Sequence, residues 1–339
     1  MKQEQKISNG VKKIFIVIGL ILLILIIGFF CYFFVGKARR VEQIDFGITF
    51  SKIQAERYDL DWKELYLAIL DDLGIKKIRL IAYWPEIEPI EGSFDWDDLD
   101  WQIKKAEERK VEIILVVGRR LPRWPECHIP EWAGNLSEKE QQEKILIIIS
   151  EIINHYKEKK SIKFWQIENE PFLRTFGECP KLDKKFLDKE IALARSLDNS
   201  RKIILTESGE FSTWIKAARR TDIVGTTLYR KVYGALGYVH YPIPAIFYQR
   251  KAALIKKLFD VEEIFVIELQ AEPWGPEATQ KLSLEEQSKS MDLEKFRKII
   301  DYTKRTGFSK AYLWGAEWWY WLKIKHNDDS MWNSAKLLF

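Results

Sequence analysis

Eight short runs rich in β-branched residues alternate with longer helical stretches from residue 45 onward. This alternation is typical of a parallel α/β fold, because successive parallel strands need a crossover helix between them. The predicted strands cover residues 46–50, 77–81, 112–117, 163–167, 202–206, 222–226, 264–267 and 310–314. The predicted helices cover residues 62–73, 97–109, 139–157, 184–197, 212–219, 245–258 and 293–305.

Eight such repeats predict a (β/α)8 barrel, or TIM barrel, rather than an open doubly wound sheet. A doubly wound dinucleotide-binding fold would place a glycine-rich turn after its first strand. Here the first strand runs into FSKIQ at 50–54, which contains no glycine. We therefore expect one (β/α)8 barrel over residues 45–339.

An unbroken apolar run precedes the barrel, with the sequence IFIVIGLILLILIIGFFCYFFV at 14–35. A helix of that length, at about 1.5 Å per residue, matches the roughly 30 Å hydrocarbon core of a bilayer. A signal peptide has a shorter apolar region of about 7–15 residues, followed by a small-residue cleavage site. The sequence therefore predicts a short cytoplasmic tail at 1–13, a single transmembrane anchor in the lipid bilayer at 14–35, and a juxtamembrane linker at 36–44.

Basic residues flank the apolar run on both sides. They are Lys2, Lys6, Lys12 and Lys13 before it, and Lys37, Arg39 and Arg40 after it. The positive-inside rule favours a cytoplasmic N-terminus by this difference of one charge. The barrel that follows the anchor is accordingly predicted to be extracytoplasmic.

The net charge of +4 comes from the N-terminal segment, since residues 41–339 hold 47 basic and 49 acidic side chains. A nearly neutral domain has no electrostatic footprint for nucleic acid. The four histidines form no His-x-His or His-Glu-x-x-His motif, so no metal ion is expected. Neither a glycine-rich phosphate loop nor a Gly-x-Ser-x-Gly elbow is present, and no cofactor is expected.

Carboxylates collect where the predicted strands end, which is where (β/α)8 barrels carry their functional groups. The fourth strand ends in WQIENEP at 165–171, the seventh in VIELQAEPW at 266–274, and the eighth in LWGAEWW at 313–319. Glu170 and Glu268 follow strands that are not adjacent, so they can face each other across the barrel mouth. Retaining cleavage of a glycosidic bond needs two carboxyl groups about 5–5.5 Å apart. We expect Glu170 and Glu268 to supply them.

These stretches resemble the barrel enzymes of glycoside hydrolase clan A, such as family 5 cellulases, family 10 xylanases and family 42 β-galactosidases. The resemblance implies that Glu170, in Asn169-Glu170-Pro171, is the catalytic acid/base. It implies that Glu268, in Ile-Glu-Leu, is the nucleophile. It also implies that Asn169 binds the 2-hydroxyl of the sugar.

The resemblance covers most of the predicted barrel. Arg79, in the second strand, looks like the family 5 arginine that orders the nucleophile's surroundings. The stretch at 84–96, WPEIEPIEGSFDW, is similar to a W-x-x-I-E-P-x-E-G-x-F-D-W pattern around family 42. Tyr229 matches a tyrosine that touches the nucleophile, and Trp314 matches the tryptophan that floors the subsite of the cleaved sugar. Leu-Gln follows Glu268 where the clan often has Phe-Gly.

Two further carboxylates near these positions leave alternatives open. Glu268 and Glu272 share one face of an extended strand, which makes Glu272 a rival nucleophile or a substrate-binding residue. We favour Glu268 because it lies nearer the predicted strand end. Glu168 is interpreted as an inward structural or substrate-contacting carboxylate. Like-charge repulsion among these groups is expected to raise the pKa of the catalytic acid.

Five tryptophans and two cysteines fall on the predicted active face. The tryptophans are Trp84, Trp124, Trp274, Trp318 and Trp319, and we expect Trp84 and Trp274 in particular to bind sugar. Cys127 follows the third strand and Cys179 the fourth, so their loops are neighbours. A disulfide between them is a hypothesis that suits an oxidising exterior.

The sequence thus predicts a membrane-anchored retaining glycoside hydrolase that acts on an oligo- or polysaccharide, with β-linked bonds as its expected target. Two alternatives remain open. A transglycosylase would use the same carboxylates but pass the sugar to an acceptor other than water. A non-catalytic, membrane-tethered carbohydrate-binding barrel would keep the surface without the reaction, although a pure binder gains nothing from the carboxylate pair.

Overall fold

A computed structural model describes the backbone of residues 2–339 and the side chains of residues 13–339. Eight parallel strands close into a barrel in the order β1-β2-β3-β4-β5-β6-β9-β10, with β10 pairing back to β1. The barrel strands are β1 (Asp45–Thr49), β2 (Lys77–Ile81), β3 (Glu112–Val117), β4 (Ile162–Ile167), β5 (Lys202–Glu207), β6 (Ile223–Leu228), β9 (Glu263–Gln270) and β10 (Lys310–Trp314). The predicted (β/α)8 barrel is confirmed.

Helices lie on the outside of the barrel, most of them between successive strands. Those before β4 are α1 (Lys2–Phe34), α2 (Lys52–Arg57), α3 (Trp62–Asp71), α4 (Trp84–Ile87), α5 (Asp97–Glu108) and α6 (Glu138–Tyr156). Those after it are α7 (Lys184–Leu197), α8 (Ile215–Ala218), α9 (Ala245–Leu258), α10 (Leu284–Ser288), α11 (Leu293–Thr306), α12 (Ala316–His326) and α13 (Ser330–Lys336). Short 3-10 turns lie at Glu131–Ala133 and Thr279–Lys281.

Apolar side chains fill both sides of the strands, as expected for a parallel sheet covered by helices. The main core lies between the strands and the surrounding helices. A second, smaller cluster fills the barrel interior and draws its members from several strands, namely Ile114, Ile204, Ile223, Phe265, Ile267 and Tyr312. Because this interior layer is packed, only the ends of the barrel are left for binding.

All eight predicted strands are present, with bounds that differ by at most three residues. One helix was predicted too long, since residues 212–219 contain only the four-residue α8. The Ser212 hydroxyl accepts the backbone N–H of Trp214 at 3.1 Å, and Trp214 takes a left-handed φ of 64°. This turn occupies the residues that would have formed the first helical turn.

Several elements were not predicted. A hairpin of β7 (Lys231–Gly234) and β8 (Gly237–His240) is inserted after β6. The short helices α2, α4 and α10, together with α12 and α13 after β10, were also missed. Most are too short for a hydrophobic period to be recognised.

The N-terminal helix contains one span, Lys13–Phe34, that is long and apolar enough to cross a membrane, with a mean hydropathy of 3.4. Its end packs on α9, where the rings of Phe34 and Phe247 lie 5.3 Å apart and Arg250 donates to the carbonyl of Val35 at 2.9 Å. The predicted linker lies along the barrel, and the N–H of Val41 donates to the carbonyl of Lys304 at 2.8 Å. Of the predicted tail, the side chains of residues 1–12, including Lys2, Lys6 and Lys12, lie outside the described residues.

Candidate active site

The C-terminal ends of the strands form one mouth of the barrel, and Glu170 and Glu268 both lie there. Both carboxylates are buried, with relative exposures of 7% for Glu170 and 3% for Glu268. Glu170 follows β4, whereas Glu268 lies inside β9. Their neighbourhood is seen from Arg79, which donates to Glu268 and to Asn169, the residue directly before Glu170.

A β-bulge turns Glu268 into the barrel. β9 carries one extra residue between Val266 and Leu269 relative to both of its neighbours. Ile267 belongs to the apolar cluster of the interior, so strict alternation would direct Glu268 outward. The extra residue restores Glu268 to the inner face, and bulges of this kind often re-aim a side chain next to a functional site.

Arg79 on β2 connects the two sides of the mouth. Its guanidinium is fully buried and donates to Glu268 Oε1 at 2.9 Å and to Asn169 Oδ1 at 2.8 Å. A third bond runs to Gln166 Oε1 at 2.8 Å. Because the planar guanidinium is held at three points, it fixes Glu268 and Asn169 relative to each other.

The segment from Glu168 to Glu170 has an unusual backbone. Glu168 and Glu170 have φ values of 55° and 42°, in the left-handed region that few non-glycine residues occupy. The Glu170 N–H donates to the hydroxyl of Thr206 at 2.6 Å, which holds this conformation. Such strain at a buried polar position is commonly associated with functional sites.

Glu170 has one carboxylate oxygen, Oε1, that is buried without a hydrogen-bond partner among the described residues. Burial, followed by repulsion from Glu268, Glu126 and Glu210, raises the pKa of Glu170 well above its usual range. Glu268, in contrast, shares hydrogen bonds with a guanidinium and a phenol. The two carboxyl groups are therefore placed in opposite environments, one that favours the protonated form and one that stabilises negative charge.

Tyr229 lies directly after β6 and donates its hydroxyl to Glu268 Oε2 at 3.2 Å. Its backbone N–H donates to Glu210 Oε1 at 2.9 Å, which ties it to the loop after β5. Burial and the nearby charges of Glu268 and Glu170 raise the pKa of Tyr229 well above its usual range. Its phenol therefore stays a neutral hydrogen-bond donor at ordinary pH.

Glu272 lies in a separate ion-pair network. It pairs with Arg123 and accepts the indole N–H of Trp314 at 2.7 Å. Arg123 also donates to Glu317 Oε2 at 2.9 Å, and its guanidinium carbon lies 4.1 Å from the centre of the Trp314 ring. Glu272 is thus paired with its own arginine, and one face of Trp314 is covered by protein.

Glu168 makes its hydrogen bonds with the loop after β3. Its carboxylate accepts the backbone N–H groups of Arg119 at 2.8 Å and Arg120 at 2.6 Å. Gly118, with a φ of 127°, makes room for it, since a Cβ there would lie 2.4 Å from Glu168 Oε1. This carboxylate therefore fastens the loop after β3 to the end of β4, in agreement with a structural interpretation.

The tryptophans separate into buried and accessible groups. Trp84 is fully buried and donates its indole N–H to Glu88 at 2.8 Å, so the prediction that Trp84 binds sugar is wrong. Its Pro-containing stretch forms α4 and packs the ring inward. Trp318 and Trp319 are also buried. Trp274 is partly exposed and Trp124 is 49% exposed, so these two can contact a ligand.

An arc of aromatic rings lines the mouth and joins three loops to Tyr229. Trp274 lies 5.4 Å from Tyr229 and 5.2 Å from Phe176, measured between ring centres, and Phe176 lies 5.8 Å from Trp124. Partly exposed aromatic faces of this kind pack well against the C–H faces of sugars.

The Cys127–Cys179 disulfide is present, with the two Cα atoms 5.2 Å apart. It joins the loop after β3 to the loop after β4. The backbone N–H of Glu178 donates to the carbonyl of Pro125 at 2.9 Å, and Arg120 donates to the carbonyl of Phe176 at 2.9 Å. The covalent link and these bonds hold the two loops together beside Glu170.

Removal of this link should weaken the fold. The bond closes a loop of 52 residues, and loss of such a cross-link typically costs about 2–4 kcal/mol of unfolding free energy. We expect Cys127→Ser/Cys179→Ser to lower the urea midpoint accordingly, whereas Cys31→Ser, outside the barrel, should leave it unchanged. An unchanged midpoint in the double variant would mean that these thiols are not paired in solution.

Four residues at the mouth were missed from the sequence. They are Glu126, Arg123, Phe176 and Glu210, all of which lie on loops after β3, β4 or β5. Arg123 and Glu126 have left-handed φ values of 85° and 73° and are buried, which no sequence pattern signals.

Among the described residues, no group of three or more His, Cys, Asp or Glu side chains is arranged to hold a metal ion.

Comparison with known proteins places the fold. No protein-family model matches the sequence. The chain is 27% identical over 180 residues to the β-galactosidase BgaA of Clostridium cellulovorans. This match covers 47% of the chain and 27% of BgaA, so it spans much less than half of that relative.

Solved structures with the same barrel come from several glycoside hydrolases. A GH5_18 protein of Bifidobacterium longum subsp. infantis superposes with a TM-score of 0.56 at 12% identity, covering 81% of this chain and 70% of that one. A family 10 endo-β-1,4-xylanase of Gloeophyllum trabeum gives 0.52 at 17% identity, covering 80% and 86%. A β-galactosidase of Marinomonas ef1 gives 0.51 at 13% identity, covering 80% and 54%. The predicted resemblance to clan A barrels is confirmed at the level of the fold.

Proposed function

We propose that this relative of the clan A barrels is a retaining glycoside hydrolase in which Glu268 is the nucleophile and Glu170 the acid/base. The observation that carries the proposal is the contrast between two buried carboxylates at one mouth. Glu268 is held by Arg79 and Tyr229, while Glu170 keeps an unpartnered oxygen and a raised pKa. Carboxyl groups in such opposed environments are suited to separate roles in glycosidic cleavage.

The reaction follows from these positions. Glu268 attacks the anomeric carbon as the protonated Glu170 gives its proton to the departing oxygen, and a covalent glycosyl-enzyme forms. Glu170, now ionised, takes a proton from water as that water attacks the same carbon and releases Glu268. Arg79 and Tyr229 orient Glu268 through their hydrogen bonds, and Arg79 also orders Asn169 beside Glu170.

The substrate side of the proposal rests on the aromatic arc and on the relatives. The partly exposed rings of Trp274 and Trp124 support stacking on sugar rings at this mouth. The β-galactosidases and the β-1,4-xylanase named above act on β-linked sugars by their names, and a GH5_18 structure holds Manβ1-4GlcNAc. We infer a β-linked oligo- or polysaccharide as substrate.

The stereochemistry of the product tests the mechanism. The full chain in detergent would be incubated with aryl β-glycosides and β-linked oligosaccharides, and the first-formed anomer followed by NMR. We expect the β-anomer to appear first. An α-anomer as first product would exclude retention, and sugar binding without turnover would favour the carbohydrate-binding barrel. Transglycosylation would show as longer products at high substrate concentration.

We further propose that Lys13–Phe34 anchors the barrel to a membrane, with the barrel outside. The span has the length and hydropathy for crossing, and a disulfide joins two loops of the barrel. We expect the chain to stay in the membrane pellet after an alkaline wash and to be digested by protease added to intact cells. Release by the wash, or protection from the protease, would contradict the anchor or its orientation respectively.

A further inference from the structure

A third carboxylate lies in the mouth beside the pair just described. Glu126, on the loop after β3, is 4% exposed, and its Oε2 accepts the side-chain N–H of Asn169 at 3.2 Å. Asn169 directly precedes Glu170 and shares Arg79 with Glu268, so Glu126 lies beside the pair. The mechanism above gives Glu126 no task.

The position of Glu126 is fixed from several sides. The next residue, Cys127, is bonded to Cys179. Gly177 packs directly against Glu126, since a Cβ on that glycine would lie 2.7 Å from the Glu126 Cβ. The backbone carbonyl of Glu126 accepts the N–H of Leu121 at 2.7 Å. These contacts fix the position of the buried Glu126 carboxyl group at the mouth.

No basic side chain among residues 13–339 forms an ion pair with Glu126. Arg79 is occupied by Glu268, Gln166 and Asn169, and Arg120 donates to the carbonyl of Phe176. Burial and then repulsion from Glu268 raise the pKa of Glu126 to about 8. The charges of Arg120 and Arg79 act against this rise, but neither guanidinium pairs with Glu126. A buried carboxylate is costly unless it is paired, so a cation on a ligand would be a direct partner for Glu126.

The place of Glu126 relative to the sugar follows from the proposed reaction. The anomeric carbon must lie between Glu170 and Glu268, and the substituent on C2 is attached to the neighbouring carbon. Asn169 precedes Glu170 in the chain and shares Arg79 with Glu268, so a sugar held between the two carboxyl groups would meet its amide, and we place the C2 substituent there. Since Glu126 is hydrogen-bonded to the same amide, the C2 substituent lies within its reach.

We propose that Glu126 selects a sugar with a free, positively charged amine on C2, so that the substrate class is a de-N-acetylated β-linked hexosamine oligomer or polymer. This inference rests on the proposed function. An ammonium offers three donors and a charge to Glu126, whereas a hydroxyl offers one donor. A cation on C2 also opposes the positive charge that develops on C1 in the transition state, and an adjacent carboxylate offsets that effect.

Matched substrates test the inference. We would measure kcat/KM of the full chain on aryl β-glucosaminide and β-galactosaminide and on the corresponding 2-hydroxy glycosides. We expect the better amine to exceed its 2-hydroxy partner by about 10-fold or more, as for a charge-assisted hydrogen bond. Glu126→Gln should reduce that ratio at least 10-fold. Glu178→Gln, an exposed carboxylate on the loop that packs against Glu126, is the matched control and should leave the ratio unchanged.

The ratio of kcat/KM on amino and hydroxy substrates tests the selection by Glu126, whereas turnover of any glycoside tests the proposed hydrolase function. Turnover of neutral glycosides with no preference for the amine in the wild-type chain would overturn the selection while leaving the hydrolase proposal in place. An equal loss on both substrates in Glu126→Gln would also overturn it, and would make Glu126 a positioning residue for Asn169. If no glycoside is turned over, the dissociation constants of glucosamine and glucose oligomers are compared instead. Equal constants for the two oligomers would overturn the selection by Glu126.

Discussion

Glu268→Gln is expected to lower kcat/KM on the order of 10⁴-fold or more, because an amide cannot form the glycosyl-enzyme. The side chain keeps its shape, so Arg79 and Tyr229 retain a hydrogen-bonding partner and the fold should be preserved. Steady-state kinetics of the wild-type and variant chains on one aryl glycoside would measure the effect. An unchanged melting temperature would show that the loss is chemical.

The matched comparison for this result is Glu272→Gln, since Glu272 lies on the same face of the chain two positions beyond Gln270. Glu272 is paired with Arg123, which keeps Glu317 as a second partner. We expect Glu272→Gln to retain far more activity than Glu268→Gln. A larger loss of activity in Glu272→Gln than in Glu268→Gln would make Glu272 the nucleophile. The bulge in β9, which turns Glu268 inward, would then have no catalytic role.

Glu170→Gln should lower kcat/KM by about 10²–10⁴-fold, the range that general acid–base catalysis supplies. The loss should depend on the leaving group. A nitrophenolate departs with little help from a proton, so its first step should suffer least, whereas a sugar leaving group should show the full effect. A loss that is equal across leaving groups would argue against Glu170 as the acid.

The same variant makes a prediction about pH. The pKa of Glu170 is raised, so the acid keeps its proton to a higher pH than an ordinary glutamate, and activity should fall as pH rises through that pKa. In Glu170→Gln this alkaline decline should disappear, since the titrating proton is gone. Profiles of kcat/KM against pH for both chains would test this, and a decline that persists in the variant would place the essential proton elsewhere.

The barrel could be predicted from the sequence because parallel strands buried on both faces give short, continuous apolar runs. The helices with a clear period, such as α7 and α9, were predicted with correct bounds. α8 was not, because the Ser212–Trp214 turn replaced its first half and no pattern of apolar residues reports such a turn.

The carboxylate pair could be proposed from the sequence because barrels of this kind carry their functional groups at the strand ends. A position at a strand end does not explain how Glu268 faces inward, since Ile267 and Glu268 are consecutive and both lie on the inner side. One extra residue in β9 accounts for it, and a bulge of a single residue leaves no trace in a hydrophobic period.

Loop residues were the least predictable part of the site. Glu126 and Arg123 lie on a loop whose course depends on left-handed φ values and on the Cys127–Cys179 disulfide. No periodic pattern of apolar residues in the sequence reports their burial. Trp84 shows the converse error. Its place just after β2 suggested an exposed platform, yet α4 turns the indole into the core. Position along the chain indicates which end of the barrel a residue occupies, and not which way its side chain points.

The central claim is a covalent intermediate on Glu268, and trapping that intermediate tests it most directly. A 5-fluoro glycosyl fluoride slows the second step, because fluorine opposes the positive charge of the transition state while the C2 substituent is kept. After reaction with the full chain, peptide mass spectrometry should find the sugar on Glu268 and should find none in Glu268→Gln. A sugar attached to Glu272, or an unlabelled enzyme that still turns over substrate with inversion, would contradict the mechanism.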